Sequence, residues 1–185
     1  MIHRLTIAAL LLLSLLPLGA QAQGTYWSRE SLLRDFFADS ERVSYLEVKV
    51  DAALVEALGY TPSRDRYVVY VATTGDRVDG YALLDDELGQ HHPISFGVQL
   101  DPAGRVVRSE IMVYREPYGA EIKSERFRDQ FVGKAASDAG HFSQGVVAVS
   151  GATLSSRAMT KAVRRATLIV GALLDRQASR AIAGA

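Results

Sequence analysis

Apolar positions repeat every second residue through the middle of the chain and every third or fourth near its ends, which predicts strands flanked by helices. Ser28 and Ser31 precede the apolar set Leu32, Leu33, Phe36 and Phe37, so a capped helix is expected from about Arg29 to Phe37, anchored by Trp27. Val43 to Val50 alternate as a strand. Asp51 then caps a short helix, Ala52 to Leu58, closed by Gly59, and Tyr60 to Arg66 forms a loop around Pro62. The β-branched and aromatic runs Tyr67 to Thr73 and Val78 to Leu84, joined by Thr74-Gly75-Asp76-Arg77, read as a hairpin. After a polar bend over Asp85 to His92, a second hairpin is predicted from Ile94 to Leu100 and Arg105 to Tyr114, with Asp101-Pro102-Ala103-Gly104 as its turn.

Beyond these strands, Arg115 to Gly119 is a loop, and Ser124 is expected to cap a helix through Phe127 and Phe131 that Gly133 ends. The last helix runs from about Ser155 to Arg180, with Ala158, Ala162, Ala166, Ile169 and Leu173 on one stripe. The expected fold class is therefore α+β: an antiparallel sheet packed with helices, one of them long and C-terminal.

The N-terminus changes the picture. Arg4 precedes an apolar run from Leu5 to Leu18, and Ala20-Gln21-Ala22 is a small-x-small cleavage site. Residues 1–22 read as a secretory signal peptide, and 23–185 as one exported domain, periplasmic or extracellular. A membrane anchor is the alternative, but Ser14 and Pro17 interrupt the run well short of the roughly 20 apolar residues that a span needs.

The chain has 185 residues and no cysteine, which excludes thiol catalysis, Fe–S ligation and thiolate zinc sites. Lysine plus arginine balances aspartate plus glutamate at 21 each, so no global field favours nucleic acid. His91 and His92 are adjacent and would face opposite sides of a strand, and His141 is isolated, so no metal site is supported. Neither a Ser-His-Asp triad nor a Gly-x-Gly-x-x-Gly sequence can be argued.

One segment carries chemistry. Val149-Ser150-Gly151-Ala152-Thr153-Leu154-Ser155-Ser156 is a small hydroxylated loop opening into the last helix, where free N–H groups and the helix dipole favour an anion such as phosphate. The bland alternative is a plain N-cap. Arg157, Lys161, Arg164 and Arg165 follow closely; they could reach phosphate oxygens or a partner's acidic surface, or form a solvated helix face.

Ser150-Gly151-Ala152-Thr153 followed by Leu154-Ser155-Ser156 resembles the flavin-attachment motif of the FMN-binding domain family. That family includes flavin subunits of the sodium-pumping NADH:quinone oxidoreductase and of Rnf electron-transport complexes. The resemblance extends over about 93–174, through the strand, Asp-x-x-Gly turn and strand, the loop with Glu116 and Gly119, and Phe127-x-x-Gln130-Phe131-x-Gly133-Lys134. It implies FMN esterified through its phosphate to Thr153 by a separate flavin transferase, with Ser150, Gly151, Ala152, Leu154 and Ser155 around the phosphate. Glu116 and Gly119 would lie beside the isoalloxazine ring, with Tyr114 and Tyr118 as candidates to stack on it. The chain departs from the family pattern at Val147, where an aspartate is usual, and Asp138 is out of register. The subunits of the pumping complexes also keep their N-terminal helix.

The resulting expectation is an exported FMN electron-transfer protein serving a redox partner or a membrane electron-transport complex, rather than a stand-alone enzyme. An exported binding or sensor module, or an accessory subunit of a membrane reductase that has lost covalent flavin, is the alternative.

Overall fold

A computed structural model describes residues 24–183; the expected signal peptide lies outside the described residues. Helix α1 (Arg29–Phe36) starts where the serines predict. The Ser31 amide donates to Ser28 Oγ at 3.1 Å and the Ser28 amide to Ser31 Oγ at 2.9 Å. Strand β2 (Arg42–Lys49) leads into α2 (Ala52–Leu58), whose Leu54 amide donates to Asp51 Oδ1 at 2.9 Å. The chain then runs back and forth through β3 (Arg66–Thr74), β4 (Arg77–Leu88), β5 (Pro93–Leu100) and β6 (Val106–Tyr114). A two-residue strand β1 (Gly24–Thr25) pairs with the end of β6, giving a fully antiparallel sheet in the order β1-β6-β5-β4-β3-β2.

The sheet is covered on both faces, and the alternation along each strand divides the side chains accordingly. Tyr67, Val69, Val71, Tyr81, Leu83, Phe96 and Val98 face the long helix α4 (Thr153–Ala183). The predicted stripe on α4, from Ala158 to Leu173, is buried against them, and its alanines let the helix lie close. On the opposite face Leu32, Phe36 and Phe37 pack on Ala72, Ala82 and Met112, and Trp27 rests against this smaller cluster.

Two expectations need correction. The polar bend proposed for Asp85 to His92 is strand as far as Leu88, because β4 pairs with β5 through Asp85↔Phe96 and Glu87↔Ile94. Asp85 and Glu87 sit on the face toward α4, where Arg165 meets both carboxylates, so polarity here marks an ion cluster rather than a turn. The true turn is Gly89 to His92, closed by the Gly89 amide donating to the His92 carbonyl at 3.0 Å. Ser124, expected to cap a helix, makes no side-chain capping bond; α3 (Glu125–Arg128) is four residues long and continues as a 3-10 turn, Asp129–Phe131. The segment is fixed by its aromatics instead, Phe127 edge-on to Phe131 at 5.6 Å and Phe131 stacked on Phe142 at 6.3 Å.

Candidate functional site

The loop before α4 brings Thr153 to the surface as the first residue of that helix. The Ser156 amide donates to the Ala152 carbonyl at 2.8 Å, so Ala152 holds the N-cap position. Its methyl is buried and offers no acceptor, which leaves the first-turn N–H groups without the side-chain cap that Ser, Asp or Asn would provide. Gly151 has φ +78°, the left-handed region that turns the chain into the helix, while Ser150 and Gly151 are both exposed. Leu154 is partly exposed and Ser155 is buried.

Behind the loop two side chains hold the backbone. The Val149 amide donates to Ser156 Oγ at 3.1 Å, reaching back from the first turn of α4. Gln130 clasps Val147 like a neighbouring strand: its Oε1 accepts from the Val147 amide at 2.7 Å and its Nε2 donates to the Val147 carbonyl at 3.2 Å. The Val147 side chain faces solvent, 73% exposed. Asp138 does not substitute for a carboxylate there, because its Oδ2 accepts from the Ala135 amide at 2.8 Å in its own turn.

The loop after β6 packs directly onto this helix start. Tyr114 is buried and its hydroxyl donates to the Tyr118 carbonyl at 2.5 Å. That uses the single phenolic proton, so in the 2.8 Å contact between Tyr114 Oη and Ser155 Oγ the serine donates. Burial raises the Tyr114 phenol above its ordinary range and keeps it neutral. Gly119 has φ +90°, and a Cβ there would meet Tyr114 Oη at 2.8 Å and Ser155 Oγ at 3.1 Å. The close approach that this glycine permits is thus to Ala152, Ser155 and Tyr114. Tyr114 is a support beneath the loop, whereas Tyr118 is 81% exposed.

Glu116 is buried at 2% exposure, with Oε1 accepting from the His91 amide at 2.7 Å and the His92 amide at 3.0 Å. Burial alone would raise this carboxyl, but the amides of His92, His91 and Gln90 outweigh it and hold the group below its ordinary carboxylate range. Glu116 therefore locks the Gly89–His92 turn against the loop after β6.

The basic residues of α4 are mostly engaged. Arg165 is buried; Nη1 donates to Glu87 and to Tyr60 Oη at 3.3 Å, Nη2 donates to the Asp86 carbonyl at 2.9 Å, and Nε lies 2.9 Å from Asp85 Oδ2 without pointing along a hydrogen bond. Burial opposes its charge, but Asp85, Tyr60 and Glu87 more than compensate, so the guanidinium stays protonated. Arg164 donates to the carbonyls of Ala139, Leu58 and Ala57, each at 3.0 Å. Lys161 reaches Glu87 at 2.8 Å but remains half exposed, and Arg157 faces solvent.

Thr153 lines two clefts. One, of about 320 Å³, lies between the Gln90-His91 turn, the Glu116 to Tyr118 loop and residues 151–155. The other, of about 450 Å³, runs beside α4 with Phe142, Val146 and Ala148 opposite the helix. The structure thus brings Glu116, Gly119, Ala152, Thr153 and Ser155 together, while Ser150 and Gly151 form the exposed rim. Ser156, Gln130, Gln90, His91 and Phe142 also shape the site, although sequence reasoning gives them no role. Gln130 belongs to the Phe-x-x-Gln-Phe segment and Ser156 lies three residues beyond Thr153, but neither hydrogen bond has a sequence signature.

Residues 89–167 match the family model described as the FMN-binding domain. No curated protein matches the chain.

Proposed function

Since residues 89–167 are an FMN-binding domain and its cofactor is FMN, we propose that this chain is an exported electron carrier that holds the flavin through a phosphoester at Thr153. The observation that carries the reading is Thr153 itself, an exposed hydroxyl on the first residue of a helix whose N-cap, Ala152, supplies no competing acceptor. The residues present fit the group. A phosphate at this position meets the positive end of a helix of 31 residues, and the two adjoining clefts offer space for the rest of the cofactor.

Bound FMN supplies the redox chemistry, and the protein's tasks are to hold it, tune it and leave an edge open to partners. Ser150, Gly151, Ala152, Leu154 and Ser155 would hold the phosphate, with Ser155 fixed by Tyr114 and the turn fixed by Ser156. Glu116 and Gly119 act at one remove, by setting the position of the wall beside Thr153. A flavin transferase attaches the cofactor, and a redox partner protein or membrane electron-transport complex exchanges electrons with it. Export rests on the apolar run Leu5 to Leu18 and the small residues beyond it.

The test is the intact mass of the exported protein after coexpression with a flavin transferase, followed by peptide mapping. An ester joins Thr153 Oγ1 to phosphorus with loss of the elements of water, so the expected gain is FMN less one water on the peptide containing Thr153. Thr153→Val, which preserves shape, should abolish the gain and leave the far-ultraviolet circular dichroism unchanged. An adduct that persists in the variant would overturn the assignment. Wild-type protein that binds FMN without a mass gain would favour non-covalent binding, consistent with the exposed Val147 at the position where the family pattern has aspartate.

A further inference from the structure

The two edges of the sheet are finished differently. Along β6 the outward backbone groups are taken: the Val106 amide donates to the Lys134 carbonyl at 2.9 Å, the Gly133 amide to the Val106 carbonyl at 2.8 Å, and Arg128 Nη1 to the Ser109 carbonyl at 2.8 Å. The Tyr26 amide reaches the Met112 carbonyl at 2.8 Å, and β1 pairs with the last residues of the strand. The opposite edge, β2, is eight residues long, contains no proline and pairs with β3 without a register shift. Proline and bulges are devices that blunt an exposed edge, and β2 has neither.

Which of its groups face outward follows from one hydrogen bond. The Val50 amide donates to the Asp65 carbonyl at 2.8 Å, so residues of even number bond β3 and those of odd number turn their N–H and C=O groups to the free edge. At one end of the strand Arg176 Nη2 donates to the Lys49 carbonyl at 2.9 Å; at the other the Glu41 carboxylate folds back onto the Gly75 amide at 2.9 Å. Between them Val43, Tyr45 and Glu47 keep outward backbone groups that no described residue pairs with. Their side chains lie on the face away from α4, next to Val68 and Tyr70 of β3, and Tyr45 is 65% exposed.

This free run is centred on Tyr45. An antiparallel copy of the same run, placed about a two-fold axis at Tyr45, sets Tyr45 against itself and Val43 against Glu47, and every opposed pair exchanges both of its hydrogen bonds. Lys49 then falls beside Glu41 of the partner subunit, a pairing of opposite charges that a parallel arrangement would replace by like against like. Glu47 brings no uncompensated charge, since Arg66 Nη1 binds it at 2.7 Å. With 21 basic and 21 acidic residues, two copies have no net repulsion to overcome. Because the β6 edge is occupied, the pairing closes at two copies and does not propagate.

We infer that β2 is a self-association surface: two copies of this chain join through their antiparallel β2 edges, Tyr45 on Tyr45, into one continuous sheet. The inference is independent of flavin and of attachment at Thr153.

The experiment uses the exported protein, with its mass in solution read by light scattering after gel filtration over a wide range of concentration. A species of twice the chain's mass is expected. The chain has no cysteine, so single-cysteine variants report the register. Tyr45→Cys should give a covalent dimer on mild oxidation, because both thiols sit at the axis. Val43→Cys should not, because its two copies are offset along the paired strands by roughly 13 Å at about 3.3 Å per residue, beyond the reach of a disulfide. Tyr45→Pro removes an outward donor while sparing every bond to β3, and should be monomeric with unchanged far-ultraviolet circular dichroism. Wild type that is monomeric at every concentration would overturn the inference. So would Val43→Cys that cross-links as readily as Tyr45→Cys, or a dimer that persists in folded Tyr45→Pro. A monomer carrying a foreign peptide, released by acid and weighed, would assign the edge to another partner and equally overturn it.

Discussion

The two segments that frame Thr153 are held in opposite ways. The loop after β6 is pinned from within: Glu116 is buried on the amides of the neighbouring turn, Tyr114 spans from the Tyr118 carbonyl to Ser155, and Gly119 leaves no room for a side chain. The approach to α4 is largely exposed from Ser143 to Gly151 and is held from behind by Gln130 and Ser156. One wall of the site is therefore preformed while the other is the place where the chain can open locally, since exposed backbone with few buried contacts has the lowest cost of opening. The attachment proposed at Thr153 would draw on the second kind of wall, the one that can open.

Changes to the pinned wall should cost most. Gly119→Val introduces a Cβ 2.8 Å from Tyr114 Oη at a φ of +90°, and the combined strain and overpacking are expected to cost about 3 kcal/mol or more, read as a lowered midpoint in urea. A variant as stable as wild type would show that this wall yields.

Next is Glu116→Ala, which leaves the amides of His91 and His92 without their buried acceptor and is expected to cost about 2 kcal/mol. The pH dependence has a definite sign. Because the Glu116 carboxyl is held below its ordinary range, its contribution is complete above that range and is lost as pH falls through the folded value. The stability gap between wild type and Glu116→Gln should therefore narrow on acidification; a gap that widens would contradict the hydrogen-bonding account.

The smallest effect belongs to the exposed wall. Ser156→Ala removes the acceptor of the Val149 amide, an amide that water can reach when the loop moves, and about 1 kcal/mol is expected. Hydrogen exchange should quicken from Val146 to Gly151 and remain unchanged in the loop after β6. If both segments quicken together, they are one cooperative unit and the contrast fails.

Most of the fold was legible because its signals are local. Alternation marked β2, β-branched and aromatic runs marked β3, the Asp101 to Gly104 turn marked β5 and β6, Ser28 and Asp51 marked helix starts, and the alanine stripe marked the buried face of α4. The second half of β4 was not, because Asp85 and Glu87 look like a turn until their cation, Arg165, is brought from far along the chain. The same holds at the site. Thr153 could be placed at a helix start from its neighbours alone, yet the contacts of Gly119 with Tyr114 and Ser155 exist only after folding. The family resemblance sets Glu116 beside the flavin ring, while its hydrogen-bond partners in the fold, the amides of His91 and His92, are main-chain groups that no residue type announces.

The ion cluster under α4 has a bearing on where the molecule can be cut. Asp85 and Glu87 lie before Gly89, where the match to the FMN-binding domain begins, while Arg165 lies within it. A fragment starting at Gly89 would lose both carboxylates together with the strand that covers Arg165, and would leave β5 with an open edge where β4 had paired. The smallest piece able to fold around a flavin is thus longer than the piece that can be recognised, and shuffling or truncating this scaffold would have to carry the preceding hairpin along.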